Sequence, residues 1–309
     1  MKILVTGGAG FIASHITDAY IAEGHTVFVL DNLQTGFEKN INPKAVFIKK
    51  DIIDPTLSEL FQKEKFDVVN HHAAQMDVRK SVADPSFDAT TNILGTINLL
   101  QNAVKTGVKK FMFASTGGAV YGEQSYFPAD ENHPTQPVSP YGISKLAVEK
   151  YLYFYFNQHK LRYTILRYAN IYGPRQNSMG EAGVVAIFTT KLLKGEQPII
   201  NGNGLQTRDY VFVGDVVRAN LLTFGEESCD IYNVGTGIET DVNDLHHHLN
   251  KIVGKGQVEK HGPAAPGEQL RSVITSDKLY KKYNWRPSTL LADGLNETVN
   301  FFKSDLNLS

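Results

Sequence analysis

Two residues four positions apart, Tyr141 and Lys145, begin a strongly apolar segment that we expect to be a helix. This spacing places the phenol and the ammonium one turn apart on the same helix face. A cation about 4 Å from a phenol, at an effective dielectric near 20, lowers its pKa from about 10 by about three units. The pair therefore predicts a phenolate base that takes a proton from an alcohol while hydride leaves. Thr116, at the end of a predicted strand, is expected to hydrogen-bond the same oxygen.

A Tyr-x-x-x-Lys spacing also occurs in ordinary amphipathic helices, and the N-terminal segment favours the catalytic interpretation. Residues 2–5 are an apolar run, a turn with Gly7 and Gly10 follows, and a helix-period segment leads to a second strand ending at Asp31. This is the order of a dinucleotide-binding unit, although a glycine-rich turn in another α/β fold is the alternative. Gly7 permits the tight turn, and Gly10 lets backbone amides approach a pyrophosphate. Asp31 would bind ribose hydroxyls. Because no Arg or Lys stands beside this acid, we predict NAD rather than NADP.

Strands and helices must alternate to position these residues. Further strands are predicted at 45–48, 66–70, 110–114 and 163–166, and helices at 54–63 (with Asp54 as N-cap), 85–106 and 141–158. This alternation predicts an α/β fold with a doubly wound, mostly parallel (Rossmann) sheet. The pattern loosens after Arg167, where short strands are predicted at 198–200, 210–213 and 231–234 and helices at 184–193, 216–224, 242–252 and 290–302. We predict an NAD-binding domain over 1–167 and a smaller mixed α/β substrate domain over 168–309, interleaved with the first.

Composition argues against several other classes of protein. The 309 residues carry 31 basic and 32 acidic side chains, so the chain has no excess of positive charge for binding nucleic acid or an acidic membrane. The single cysteine, Cys229, excludes an internal disulfide, and no apolar run approaches a membrane span. We expect a cytoplasmic protein.

The adjacent histidines 246–248 cannot converge on one ion from a helix, so we predict a solvated face and no metal site.

Several motifs together resemble one known family. They are TGGAGFI at 6–12, DNL at 31–33, DI at 51–52, HAA at 72–74, YGISK at 141–145 and RYANIYGPR at 167–175. In this order they resemble the extended short-chain dehydrogenase/reductase family of NAD-dependent nucleotide-sugar epimerases and dehydratases. Ala13 stands where the family has its third glycine, and a methyl group is tolerable there.

The resemblance implies the residues of the site. Those implied to bind NAD are Gly7, Gly10, Phe11, Ile12, Asp31, Asn32, Asp51, Ile52, Ala73, Ala74, Gln75, Asn92, Tyr141, Lys145 and Tyr168. Those implied to bind a UDP-sugar are Thr116, Asn170, Gly183, Val184, Arg208 and Arg271. The two arginines are fork-shaped donors suited to a diphosphate, although exposed arginines also form rim ion pairs.

By the same resemblance, the reaction is inversion at C4 of a UDP-hexose such as UDP-glucose or UDP-galactose. Hydride passes transiently to tightly bound NAD through a 4-keto sugar. Gly117 and Gly118 stand where related dehydratases carry an acidic pair, so dehydration is not expected. Other members of the family remain alternatives: an epimerase of UDP-N-acetylhexosamine or UDP-hexuronate, or a UDP-hexuronate decarboxylase. A small residue, Ser272, is expected to admit N-acetylated sugars, and a homodimer through the helices at 85–106 and 141–158 is also expected. An inactive NAD-binding regulator is a remote alternative.

Overall fold

A computed structural model describes residues 1–178, 183–265, 267 and 269–307 as alternating strands and helices. The strands are β1 (Lys2–Thr6), β2 (Thr26–Asp31), β3 (Val46–Lys49), β4 (Val68–His71), β5 (Lys110–Thr116), β6 (Arg162–Tyr168), β7 (Asn170–Tyr172), β8 (Ile200–Asn201), β9 (Thr207–Arg208), β10 (Tyr210–Phe212), β11 (Asp230–Val234), β12 (Thr240–Asp241), β13 (His261–Gly262) and β14 (Arg271–Ser272). The helices are α1 (Phe11–Ala22), α2 (Leu57–Glu64), α3 (Val78–Ala83), α4 (Pro85–Ala89), α5 (Gly95–Thr106), α6 (Gly117–Val120), α7 (Pro140–His159), α8 (Val184–Lys194), α9 (Val213–Phe224), α10 (Val242–Val253), α11 (Asp277–Tyr283) and α12 (Leu291–Asp305).

A seven-stranded sheet has the order β11-β6-β5-β4-β1-β2-β3. The pairs β1–β2, β1–β4, β2–β3 and β4–β5 are parallel. The order reverses between β1 and β4, and in such sheets ligands bind at this reversal, outside the carboxyl ends of the strands. The predicted doubly wound, mostly parallel fold is therefore confirmed, and its expected binding edge contains the ends of β1, β2 and β4.

Apolar side chains cover both faces of this sheet because the strands are buried on both sides. Along β1, Leu4 belongs to one hydrophobic cluster, which includes Leu99 and Leu100 of α5, while Ile3 and Val5 belong to another. Successive side chains of a strand point to opposite faces, so the two clusters lie on the two sides of the sheet. This continuous apolar run is typical of a central parallel strand.

The chain forms two compact units by backbone packing. The first comprises residues 1–122, 134–167 and 217–232, and the second comprises residues 123–133, 168–216 and 233–309. Within the second unit, α8, α10 and α12 pack against one another, and short strands form the pair β10–β7 and the sheet β12-β9-β14. In the described part of the chain, no helix has the length and apolarity needed to cross a bilayer. The assignment of the second unit to a substrate stays a prediction.

Most predicted elements are present, and the differences have local causes. The predicted N-cap Asp54 is wrong, since its Oδ1 accepts from the backbone N of Thr56 at 2.8 Å and from its hydroxyl, and α2 begins at Leu57. This turn delays the helix by competing for the backbone donors. The predicted helix over 85–106 contains a π-helical segment at Thr90–Leu94 between α4 and α5. The short helices α3, α6 and α11 and five two- or three-residue strands were not predicted, because segments of that length carry too few residues to show a period.

Candidate active site

The glycine-rich turn joins the end of β1 to the start of α1. Gly7 has φ +71°, and its backbone N donates to the carbonyl of Leu30 at 2.8 Å. A Cβ at Gly10, the N-cap of α1, would meet only the carbonyl of Gly7 within 4 Å among the described atoms. No described side chain caps α1, so its first amides are available to an anion, as a dinucleotide phosphate requires. The turn therefore fits a dinucleotide, and Phe11 and Ile12 lie in its first helical turn.

Gly7→Ala provides a test of this turn. A Cβ there would lie 2.7 Å from the backbone N of Ala73, in addition to the strain of an alanine at positive φ. We expect the variant to lose bound dinucleotide and to unfold at lower denaturant concentration than the wild type. Gly24→Ala is the matched control, because Gly24 has φ +81° and nothing within 4 Å of its Cβ position. Equal dinucleotide content in the two variants would contradict the close approach to Ala73.

Asp31 ends β2 at the same edge. Its Oδ2 accepts from the backbone N of Ala9 at 3.0 Å, and its Oδ1 accepts from that of Leu33 at 2.8 Å. Burial raises the pKa of this carboxyl, and the two backbone donors oppose that rise. Beside it, Asn32 donates from Nδ2 to Asp51 at 2.7 Å. The acid predicted for the ribose thus also joins the glycine turn to the loop after β2.

The loop after β4 lies at the same edge of the sheet as the glycine turn and Asp31. Nδ1 of His71 lies 2.7 Å from Oγ1 of Thr6, and its Nε2 lies 2.8 Å from Oγ1 of Thr96. The backbone N of Ala73 donates to the Thr6 hydroxyl at 3.2 Å. Burial lowers the pKa of His71 well below its usual range and that of His72 to about 3. These two histidines are therefore neutral and structural.

Asn92 lies in the π-helical segment and holds this loop. Its Nδ2 donates to the carbonyl of Gln75 at 2.9 Å, and its Oδ1 accepts from the backbone N of Gln75 at 2.8 Å. Nδ2 of Asn92 also donates to the carboxylate of Asp88 at 3.0 Å. Single π turns often mark functional sites, and here the turn points an amide at the loop containing Ala73 and Ala74.

The proposed catalytic pair lies at the start of α7. Nζ of Lys145 donates to the carbonyl of Ala114 in β5 at 2.8 Å and lies 4.7 Å from the ring centre of Phe113. The same Nζ lies 5.8 Å from the ring centre of Tyr141. The backbone N of Tyr141 donates to Oγ of Ser81 in α3 at 3.2 Å. The helix start is thus anchored by a strand on one side and by a short helix on another.

The sequence predicts a lowered pKa for Tyr141, and this direction is wrong for the protein without cofactor: its own groups raise that pKa. Burial raises the pKa of the phenol, and the Asp88 carboxylate raises it further. Burial lowers the pKa of Lys145 to about 8, while Asp88 and Glu149 raise it. Spacing along a helix gives the attraction between phenol and ammonium but not the desolvation cost, and desolvation is the largest contribution here.

Thr116 ends β5 and is the N-cap of α6. Its Oγ1 accepts from the backbone N of Ala119 at 3.2 Å, and the hydroxyl hydrogen is not used in that bond. α6 packs on α7, so Thr116 caps an element next to the helix that contains Tyr141 and Lys145. The hydroxyl can therefore donate to a substrate oxygen, as the sequence predicts.

A buried ion pair between α7 and β6 was not predicted. Arg167 donates to Glu149 from Nη2 at 2.6 Å and from Nε at 3.0 Å. Ser115 donates to Oε1 of Glu149 at 2.6 Å, and Nη1 of Arg167 donates to the hydroxyl of Tyr121 at 3.0 Å. The two ionic side chains are 4% and 1% exposed. Glu149 lies four residues after Lys145, so its spacing along the helix was the signal that could have identified it.

Of the residues predicted to bind the UDP-sugar, Thr116 lies in the first unit and the other five lie in the second. Asn170 begins β7, and Gly183 and Val184 begin α8, whose preceding residue Ala182 lies outside the described residues. Arg208 in β9 pairs in register with Ser272 in β14, and Arg271 pairs with Thr207. The two arginines are therefore on neighbouring strands, one residue out of register. Tyr168, predicted to bind NAD, also belongs to this unit.

Arg271 has two partners that the sequence did not indicate. Its Nε and Nη2 donate to the carboxylate of Glu239 at 3.0 and 3.1 Å. Its guanidinium lies 3.7 Å from the ring centre of Phe127. Next to Arg208, the buried Asp209 accepts from the backbone N atoms of Thr236 and Gly237. That carboxylate joins two loops and is a structural rather than a ligand-binding group.

The predicted solvated face at 246–248 is wrong for one of its three histidines. His246 has no exposed surface, packs edge-on to Phe188 at 6.0 Å, and has no hydrogen-bond partner at either ring nitrogen among the described residues. Burial is the main cause of its lowered pKa. His247 and His248 are exposed. No cluster of three or more potential metal ligands occurs among the described residues.

Comparison with known proteins gives one consistent result. Residues 3–235 match the model of the NAD dependent epimerase/dehydratase family. A UDP-glucose 4-epimerase of Mycolicibacterium smegmatis is 42% identical over 310 residues, covering 98% of this chain and 99% of the relative.

Two solved structures are similar over nearly their whole length. A UDP-glucose 4-epimerase of Thermotoga maritima with UDP-glucose has a TM-score of 0.97 at 46% identity, covering 99% of this chain and 100% of that one. A UDP-glucose 4-epimerase of Thermus thermophilus in complex with NAD has a TM-score of 0.93 at 42% identity, covering 98% and 99%.

Proposed function

The chain belongs to the NAD-dependent epimerase/dehydratase family, and we propose that it is a UDP-glucose 4-epimerase, an isomerase that interconverts UDP-glucose and UDP-galactose with bound NAD. The observation that carries the proposal is the Tyr141–Lys145 pair on α7, anchored to β5, in the unit that also holds the glycine turn. The whole-chain similarity to epimerases supports it. The cofactor would be held by the turn at Gly7 and Gly10, by Asp31 and by the loop after β4.

In the proposed reaction, Tyr141 accepts the proton of the 4-hydroxyl and later returns it. Bound NAD would supply a reversible hydride acceptor for C4, so no net oxidation would result. Burial raises the pKa of the phenol and so favours its neutral form. Tyr141 therefore needs positive charge nearby to ionise to the phenolate that accepts a proton. Lys145 supplies such a charge below its pKa of about 8. Thr116 orients the sugar oxygen through the hydroxyl hydrogen that its capping bond leaves unused.

The UDP moiety is proposed to bind the second unit. Arg208 and Arg271 would contact the diphosphate, and Asn170, Gly183 and Val184 would contribute the remaining contacts. Arg271 already holds a carboxylate in a two-pronged pair with Glu239, which is the geometry it would use for a phosphate. Binding at this arginine would therefore exchange Glu239 for the substrate.

The direct test incubates the purified protein with UDP-glucose, UDP-galactose, their N-acetyl counterparts and UDP-glucuronate, without added NAD. We expect interconversion at C4 of the two UDP-hexoses, separated chromatographically, and no change in the cofactor's redox state. Conversion of the N-acetyl sugars would show that the buried Ser272 leaves room for the larger 2-substituent. Release of carbon dioxide from UDP-glucuronate would instead identify a decarboxylase. No conversion of any sugar would overturn the proposal.

We also propose that the enzyme is a cytoplasmic homodimer that acts in galactose metabolism. The dimer is supported by exposed apolar side chains on α7, namely Ile143, Tyr151, Tyr153 and Phe154, together with Leu94 before α5. Helix faces of this kind are covered when two copies pair. Sedimentation should give twice the chain mass of 34.3 kDa, and Phe154→Lys should shift the protein toward one chain mass. The free thiol of the single cysteine supports a reducing compartment.

A further inference from the structure

Asp88 of α4 is a carboxylate with no exposed surface, beside the first turns of α7. Its Oδ1 accepts from Nε2 of Gln75 and from Nδ2 of Asn92, each at 3.0 Å. Its Oδ2 accepts from Oγ of Ser144 at 2.6 Å. Ser144 lies between the proposed base and its lysine on α7. A single side chain thus joins the loop after β4 and the π-helical segment to the catalytic stretch of the helix.

A buried carboxylate is costly unless hydrogen bonds and a nearby cation compensate it. The three donors provide the hydrogen bonds, and the nearby cation is Lys145, whose pKa Asp88 raises against the effect of burial. Ser144 donates a charge-assisted bond, which is stronger and more directional than a neutral one. The arrangement therefore acts on α7 in two ways, by geometry through Ser144 and by charge on Lys145.

We propose that Asp88 is a positioning residue for the reaction, which orients the Tyr141–Lys145 stretch through Ser144 and places a buried negative charge beside it. The proposal rests on the function proposed above. The role of Asp88 in it does not require contact with cofactor or sugar. Loss of the charge alone and loss of the hydrogen bond alone should therefore have different effects.

Among the described residues, Asp88 on α4 and Glu149 on the same helix raise the pKa of Lys145. The ring centre of Tyr141 lies 5.8 Å from the lysine Nζ, and the charge of the lysine acts on His71 and His72 near the end of β4. Both histidines are neutral in the working range because burial lowers their pKa values. Without the Asp88 charge, Glu149 is the carboxylate that still favours the ammonium. The alkaline limit of activity, where the ammonium is lost, should therefore move to lower pH.

Asp88→Asn tests the charge. The amide keeps the shape, its oxygen can accept from Gln75 and Asn92, and its Nδ2 can donate to a rotated Ser144 hydroxyl. We expect the Lys145 midpoint, followed by NMR of ¹³Cε-labelled lysine and assigned with Lys145→Arg, to fall by about one pH unit from about 8. The alkaline limb of the kcat profile should fall equally. Glu59→Gln removes an exposed carboxylate from α2 and should leave the Lys145 midpoint unchanged.

Ser144→Ala tests the hydrogen bond. We expect kcat to fall about tenfold with KM for the UDP-sugar unchanged and with the Lys145 midpoint unmoved, because the charge remains. A wild-type midpoint in Asp88→Asn, or a wild-type kcat in Ser144→Ala, would overturn the proposal. If Asp88→Asn does not fold, the serine variant decides. The lysine titration needs no sugar, so it tests Asp88 even if the wild type epimerises none.

Discussion

We expect Tyr141→Phe to lower kcat for epimerisation by about a hundredfold to ten-thousandfold while the purified variant still holds NAD. The phenyl ring preserves the packing at the start of α7, and the bond from Lys145 to the carbonyl of Ala114 does not involve the phenol. The substitution removes the oxygen that accepts the proton, and a positioned acid–base group contributes about a hundredfold to ten-thousandfold to a rate. The effect should therefore fall on kcat and not on the amount of bound cofactor.

The measurement compares single-turnover rates with UDP-galactose and the absorbance of released cofactor after denaturation. Tyr280→Phe in α11, which also removes a phenolic hydroxyl, serves as the control because this tyrosine is exposed in the second unit. It should retain the wild-type rate. A Tyr141→Phe variant with more than about a tenth of the wild-type rate would contradict the assignment of the base.

We expect Glu149→Gln to lower the free energy of unfolding by about 3–5 kcal/mol. The change leaves the charge of Arg167 buried with its carboxylate partner gone, and Ser115 loses a charged acceptor at 2.6 Å. The side chains of the pair are only 1% and 4% exposed, so water cannot replace the lost partner. Chemical denaturation of the two proteins at the same pH measures the difference.

The control is the exposed pair of Arg162 and Glu227, whose side chains are 48% and 84% exposed. Glu227→Gln should leave the unfolding midpoint unchanged within error, because exposed pairs contribute little. Replacing both buried partners, with Glu149→Leu and Arg167→Met, should cost less than Glu149→Gln alone, since no unpaired charge remains. A single variant as stable as the wild type would show that Arg167 is compensated by other groups.

The sequence alone predicted the parts of the candidate site that depend on short segments. The glycine turn joins one strand to its helix, Asp31 ends the following strand, and Tyr141 and Lys145 lie one turn apart on a single helix, so each feature falls within a short unit of the chain. Such units have strong local signals, because backbone conformation and helix period are set by nearby residues. The doubly wound, mostly parallel sheet followed from the alternation of strands and helices, whereas the structure supplied the order of the strands. The family followed from several such motifs in one order.

Long-range packing decided the rest. Asp88 and Ser144 are 56 residues apart in the sequence, and Ser115 and Glu149 are 34 residues apart. No local sequence pattern therefore predicts either contact. The burial of His246 likewise depends on a neighbouring helix residue, Phe188. Desolvation is a property of the assembled interior, and it reverses the pKa direction that helix spacing predicts for the phenol. The sequence determined which groups could do the chemistry and on which elements they lie, whereas only the tertiary structure decided which charges surround them, because buried charges act through space and not along the chain.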